Sequence, residues 1–293
     1  MLNSLVATLA LFQAAPRTKI PYVQSITLAD GTLKIMTAAQ RLVQPGKPDI
    51  WLVGAMHVGM KGYYASLQEL LDAQEAVFYE GVKQTSHTPT APNPAQLATP
   101  APPTPVYKIL SDALGLEFQL MQIHYDRKGW RNVDLDWDQL DKINKEVGKG
   151  KPTQFDQVKQ FLDPKSPQAQ MMASLLGSAT PGMKEALKIM IVKAAGGQTN
   201  IGLSPEAEKV VLEARNQAVE DELAKTVAEP APPKSIAVFY GAMHLGPIEK
   251  SLVASGYKPA EKKWFIAATA DPKKLDASGK AFLSAFDKQM GGK

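Results

Sequence analysis

Only four histidines occur in this chain, and two of them fall in nearly identical hexapeptides. Gly54 to Gly59 reads GAMHVG and Gly241 to Gly246 reads GAMHLG, differing only in Val58 against Leu245. Each follows an apolar run and precedes a helical pattern, so His57 and His244 are both expected just past a strand end. Glu80 has the same placement after Ala76-Val77-Phe78-Tyr79. In open α/β sheets such strand ends border the ligand crevice, so three of them can aim two imidazoles and a carboxylate at one point. Two His and one carboxylate are a common ligand set for catalytic metals, with positions left open to water and substrate. A metal held there would polarise a carbonyl and acidify bound water. Glu80 is alternatively a general base.

Arg215 and Asn216 extend the set. The helix expected from Ser204 to Val227 carries an apolar stripe through Leu212, Val219 and Leu223. Arg215 and Asn216 sit on that stripe, where a purely structural helix would place another apolar residue. A charge facing a core needs a partner. Arg215 is expected to pair with Glu80 or to stabilise an oxyanion, and Asn216 to orient a ligand. His124, in Gln122-Ile123-His124-Tyr125-Asp126, reads as a loop histidine, with an extra ligand or proton carrier as the alternative. Asp136 is explained by helix capping.

The elements that must position these groups follow from periodicity. Ser25–Leu28 and Leu33–Met36 flank Asp30-Gly31, a hairpin signal. Asp49–Val53, a helix over about 61 to 74, and Ala76–Tyr79 make a parallel crossover unit. Residues 88–105 are a Pro-rich loop, and about 106–200 read as a helical insertion without a strong strand. Ser235–Tyr240 and Trp264–Ala267 are further strands, and 271–293 form a charged, partly helical tail. The fold expected is α/β: a central mixed, largely parallel sheet with flanking helices and a helical cap, one domain over 21–270.

Composition narrows the chemistry. The 293 residues are 44% hydrophobic and carry a net charge of +4, with the basic residues scattered and no nucleic-acid stripe. There is no cysteine, which removes disulfides, thiolate zinc sites and a Cys nucleophile. No run approaches the ~20 apolar residues of a membrane span. Residues 1–20 hold an apolar run, Leu5 to Phe12, followed by Gln13-Ala14-Ala15-Pro16. A secretory signal, with a secreted or periplasmic protein, and a buried N-terminal element, with a cytoplasmic one, both suit that segment.

The order strand–Gly-x-x-His, strand–Glu, Arg-Asn helix, strand–Gly-x-x-His resembles the TraB/GumN family, related to the Tiki proteases. The matching stretches are Trp51–Gly81, Leu116–Leu120, Leu212–Asn216 and Val238–Tyr257. The resemblance implies a fold shared with erythromycin-esterase-like and ChaN-like proteins. It also implies Mn- or Co-dependent peptidase or hydrolase activity; imidazole and carboxylate ligands also suit Zn or Fe, and a peptide or a small ester or amide is the expected substrate. His57, Glu80, Arg215 and His244 are the positions that carry over. Two rivals remain open: a metal-free hydrolase with a histidine base, and a haem- or metal-binding protein without enzymatic activity.

Overall fold

The computed structural model describes residues 21–83, 105–163, 165–194 and 203–290. The signal-like segment 1–20, His87 and the Pro-rich stretch from 88 to 104 lie outside the described residues.

The expected hairpin is β1 (Val23–Thr27) and β2 (Leu33–Val43). Gly31 closes its turn at φ 90°, a left-handed conformation that favours glycine, and Asp30 accepts the Thr32 N–H at 2.9 Å. β3 (Asp49–Ala55) returns antiparallel to β2. A short β4 (Val58–Gly59) leads to helix α1 (Lys61–Asp72), which buries Tyr63, Tyr64, Leu67 and Leu71, and β5 (Ala76–Tyr79) completes the crossover. β5 does not pair with β3. β8 (Ser235–Gly241) lies between them, parallel to both. These strands are apolar on both faces, as buried parallel strands are.

The middle of the chain is mostly helical: α2 (Pro105–Leu114), α3 (Gln119–Gln122), α4 (Trp137–Val147), α5 (Gln154–Leu162), α6 (Pro167–Ser178) and α7 (Pro181–Lys193). Asp136 caps α4 with a reciprocal Gln139 bond, as the sequence suggests. Two short strands interrupt this stretch, and periodicity did not reveal them. β6 (Glu117–Phe118) pairs with β4, and β7 (Trp130–Asn132) extends the main sheet parallel to β5. Segments of two and three residues are too short to show an alternation.

The long helix opens with Ser204 as N-cap and runs through α8 (Pro205–Glu208), a π-turn (Lys209–Glu213) and α9 (Ala214–Val227). α10 (Ala242–Ala254) follows β8 without a loop. β9 (Lys258–Ala270) is far longer than the apolar core of its sequence suggests and runs antiparallel along one edge of β2. β1 and β3 share the other edge end to end. The sheet order is β1-β2-β3-β8-β5-β7 with β9 beside β2. The fold is thus α/β, with a mixed sheet whose β3, β8, β5 and β7 run parallel.

The tail is more than a charged extension. α11 (Ala277–Met290) buries Phe282 and Phe286 with Leu114, Leu176, Leu187 and Met190 in a second apolar cluster. Gly279 meets the backbone of Gly182 so closely that a Cβ has no room. Among the described residues, no helix is long and apolar enough to cross a membrane.

Candidate active site

The four parallel strands end side by side, and each end delivers a polar group. β3 leads to His57, β8 to Gly241 and His244, β5 to Glu80, and β7 to Asp134. β8 is inserted between β3 and β5, and in open α/β sheets the carboxyl ends of strands at such a change of strand order are where ligands bind.

Arg215 is the hub. Its Nε and Nη2 donate to the two Asp134 oxygens at 2.9 and 2.6 Å, and Nη2 also donates to Glu80 Oε1 at 2.7 Å. Asp134 is fully buried and also accepts the backbone N–H groups of Gly81 at 2.9 Å and Leu135 at 2.8 Å. Glu80 Oε2 accepts the Gly241 N–H at 2.6 Å, at the start of α10. Burial alone would raise the Glu80 pKa. The Arg215 guanidinium, and after it His244, outweigh burial and hold the carboxyl well below the ordinary 4.5. Glu80 therefore stays ionised and is a weak proton acceptor near neutral pH. Burial would likewise lower the Arg215 pKa, but Asp134 and then Glu80 raise it well above its usual value. The π-turn directly before Arg215 is a local irregularity of a kind frequent at functional sites.

The two histidines share a hydrogen-bonding device. His57 Nδ1 lies 3.2 Å from Gln119 Oε1, and His244 Nδ1 lies 2.7 Å from Asn216 Oδ1. An amide oxygen only accepts, so each imidazole carries its proton on Nδ1 and, when neutral, presents a lone pair at Nε2. Gln119 is itself fixed, since its Nε2 donates to the Tyr125 hydroxyl at 2.9 Å and its backbone N–H to the His57 carbonyl at 2.9 Å. His244 is buried, with Nε2 3.5 Å from both Glu80 Oε1 and Arg215 Nη1. His57 is half-exposed, and its ring centroid is 5.0 Å from that of Tyr107 on α2.

The structure therefore gathers Glu80, Arg215, Asn216 and His244 into one hydrogen-bonded cluster, with His57 close enough to act electrostatically on Glu80. His124 is not part of it. That residue is exposed, and its backbone N–H donates to Gln68 on α1. Asp134, Gln119 and Tyr107 were not singled out from the sequence. Asp134 follows the strand too short to detect, and only its place two residues after Asn132, at a strand end, marks it. Gln119 lies in the Leu116–Leu120 stretch that carries the family resemblance.

The donor types suit a transition metal, but in the arrangement described Arg215 competes for the same atoms. Among the described residues no three His, Asp or Glu side chains form a ligand group. The facing atoms of Glu80 and His244 are both approached by Arg215, so a guanidinium cation stands beside the position a metal would take. Holding a metal would require Arg215 to move. Comparisons of this chain with family models, with curated proteins and with solved structures find no match.

Proposed function

We propose that this protein hydrolyses amide or ester bonds, peptide bonds first, with His57 as the general base. The supporting observation is a half-exposed imidazole whose Nδ1 is anchored by Gln119 and whose Nε2 is left as a lone pair, beside an ionised Glu80. His57 takes a proton from water as the oxygen attacks the acyl carbon. Glu80 stabilises the imidazolium by charge without accepting the proton. Arg215 Nη1 has only long contacts, 3.4 Å to the Val211 carbonyl and 3.5 Å to His244, so it retains a donor for the oxyanion. The imidazolium then protonates the leaving nitrogen or oxygen as its bond to the acyl carbon breaks, giving an amine or alcohol and a carboxylic acid that ionises to solvent. Asp134, Asn216 and His244 position Arg215 and Glu80. The resemblance to the TraB/GumN family supports the same reaction class.

A second reading keeps a divalent transition metal, Mn or Co before Zn or Fe, on His57, Glu80 and His244. It is favoured by the two Nδ1–amide bonds, since metal-binding histidines commonly tie down the second nitrogen in this way. When bound, the metal would act as a Lewis acid toward the substrate carbonyl. The two readings separate by chelation, reconstitution with each metal and elemental analysis, assayed with p-nitrophenyl acetate and a mixed peptide library. Activity that survives chelation without stoichiometric metal is the expected result. Loss on chelation with recovery by one metal would favour the second reading, and no turnover in any state would remove both.

A further inference from the structure

We propose that Tyr107 is a catalytic residue of this site, its hydroxyl donating a hydrogen bond to the substrate acyl oxygen as negative charge develops there. This role rests on the hydrolase reading above. Tyr107 stands in the first turn of α2, the helix that opens the helical middle of the chain. Its ring makes two aromatic contacts, tilted at 56° to His57 with centroids 5.0 Å apart and stacked on Phe118 at 5.7 Å. Two ring contacts fix the direction of the hydroxyl, as preorganisation requires. That hydroxyl has no hydrogen-bond partner among the described residues, although the ring is half-buried.

The surroundings specify what it would donate to. Burial, and after it Glu80, raise the hydroxyl pKa to about 12 against the opposing effect of Arg215. The hydroxyl thus lies within electrostatic reach of both groups and keeps its proton throughout the working pH range. It can stabilise an oxyanion but cannot serve as a base. Together with Arg215 Nη1 it would offer two donors, one from the long helix and one from α2.

The test is Tyr107→Phe, which retains the ring contacts and removes only the oxygen. It is compared with wild type and His57→Ala on p-nitrophenyl acetate and on the best substrate from a peptide library. We expect kcat to fall on the order of 100-fold, with KM within about twofold, an unchanged thermal midpoint and an unchanged pH profile. If His57→Ala is inactive and Tyr107→Phe keeps kcat within about twofold of wild type, the Tyr107 role is wrong and the hydrolase reading stands. If wild type turns over neither probe, or His57→Ala is as active as wild type, the hydrolase reading falls and the Tyr107 role with it.

Discussion

The GAMHVG and GAMHLG segments share nearly every letter and almost nothing of their backbone. After Gly54-Ala55 the chain stays extended, passes His57 on a short link, and is clamped from α1 by Tyr63 and Tyr64 hydroxyls on Met56 and Gly54 backbone groups. After Gly241 it turns at once into α10, and His244 lies buried in the first helical turn. One histidine is therefore half open and the other sealed among Asn216, Glu80 and Arg215. Identical residue types do not imply identical surroundings: local geometry leaves His57 partly open beside Gln119 and buries His244 against Asn216, Glu80 and Arg215. The glycines are alike in a different sense. Neither has a positive φ; each is needed for space, with an added Cβ 3.1 Å from the Ala38 carbonyl at Gly54 and 3.1 Å from Glu80 Oε2 at Gly241.

The largest effect should come from the hub that the two motifs flank. Arg215→Ala leaves Glu80 and Asp134 buried without their cation and should cost about 3–5 kcal/mol of stability, measured by urea denaturation. A loss below about 1 kcal/mol would mean the cluster is solvated. The motif comparison itself predicts a split. His57→Ala should lower kcat by about 10²–10⁴ with little change in melting temperature. His244→Ala should instead destabilise by about 1–3 kcal/mol, because Asn216 is left buried and unpaired. Equal thermal shifts in the two variants would erase the distinction.

Smaller effects separate the glycines. Gly54→Ala should destabilise by about 1–3 kcal/mol, since its Cβ would press on a backbone oxygen of β2, held in the sheet on both edges. Gly241→Ala should mainly reduce activity by displacing Glu80, and thermal and kinetic data on both variants would show whether the costs divide this way. The mildest effect is on pH dependence. Because Glu80 ionises well below the ordinary 4.5 in the folded protein, its contribution is complete above that value and is lost as pH falls through the folded pKa. Glu80→Gln should flatten this acid limb between about pH 4.5 and pH 3 in urea midpoints, and identical limbs would count against the pairing.

Much of this arrangement was legible in the sequence, and what was missed has physical causes. The Asp30-Gly31 hairpin, the β3–α1–β5 unit, the Ser204 cap and the strand before Gly241 follow from turn chemistry and apolar periodicity. Arg215 and Asn216 were conspicuous because they broke an apolar stripe that is indeed buried. Asp134 was hidden because β7 has three residues, and a carboxylate after so short a run resembles any loop acid. Tyr107 was hidden because an aromatic on an amphipathic helix looks like core. The insertion of β8 between β3 and β5 is a long-range pairing across more than 150 residues of sequence, which local pattern does not encode.

The sheet's other flank has its own consequence. The first seven residues of β9, Lys258 to Trp264, are solvent-exposed, and Lys258, Glu261, Lys262 and Lys263 line them. Lys262 and Lys263 lie over the Trp264 and Trp51 rings, so their charges cover aromatic surface on a strand that pairs only with β2 among the described residues. An incoming strand would have to strip water from those ammonium groups and lift them from the rings before it could pair. Charged side chains on an exposed edge strand oppose edge-to-edge pairing in this way.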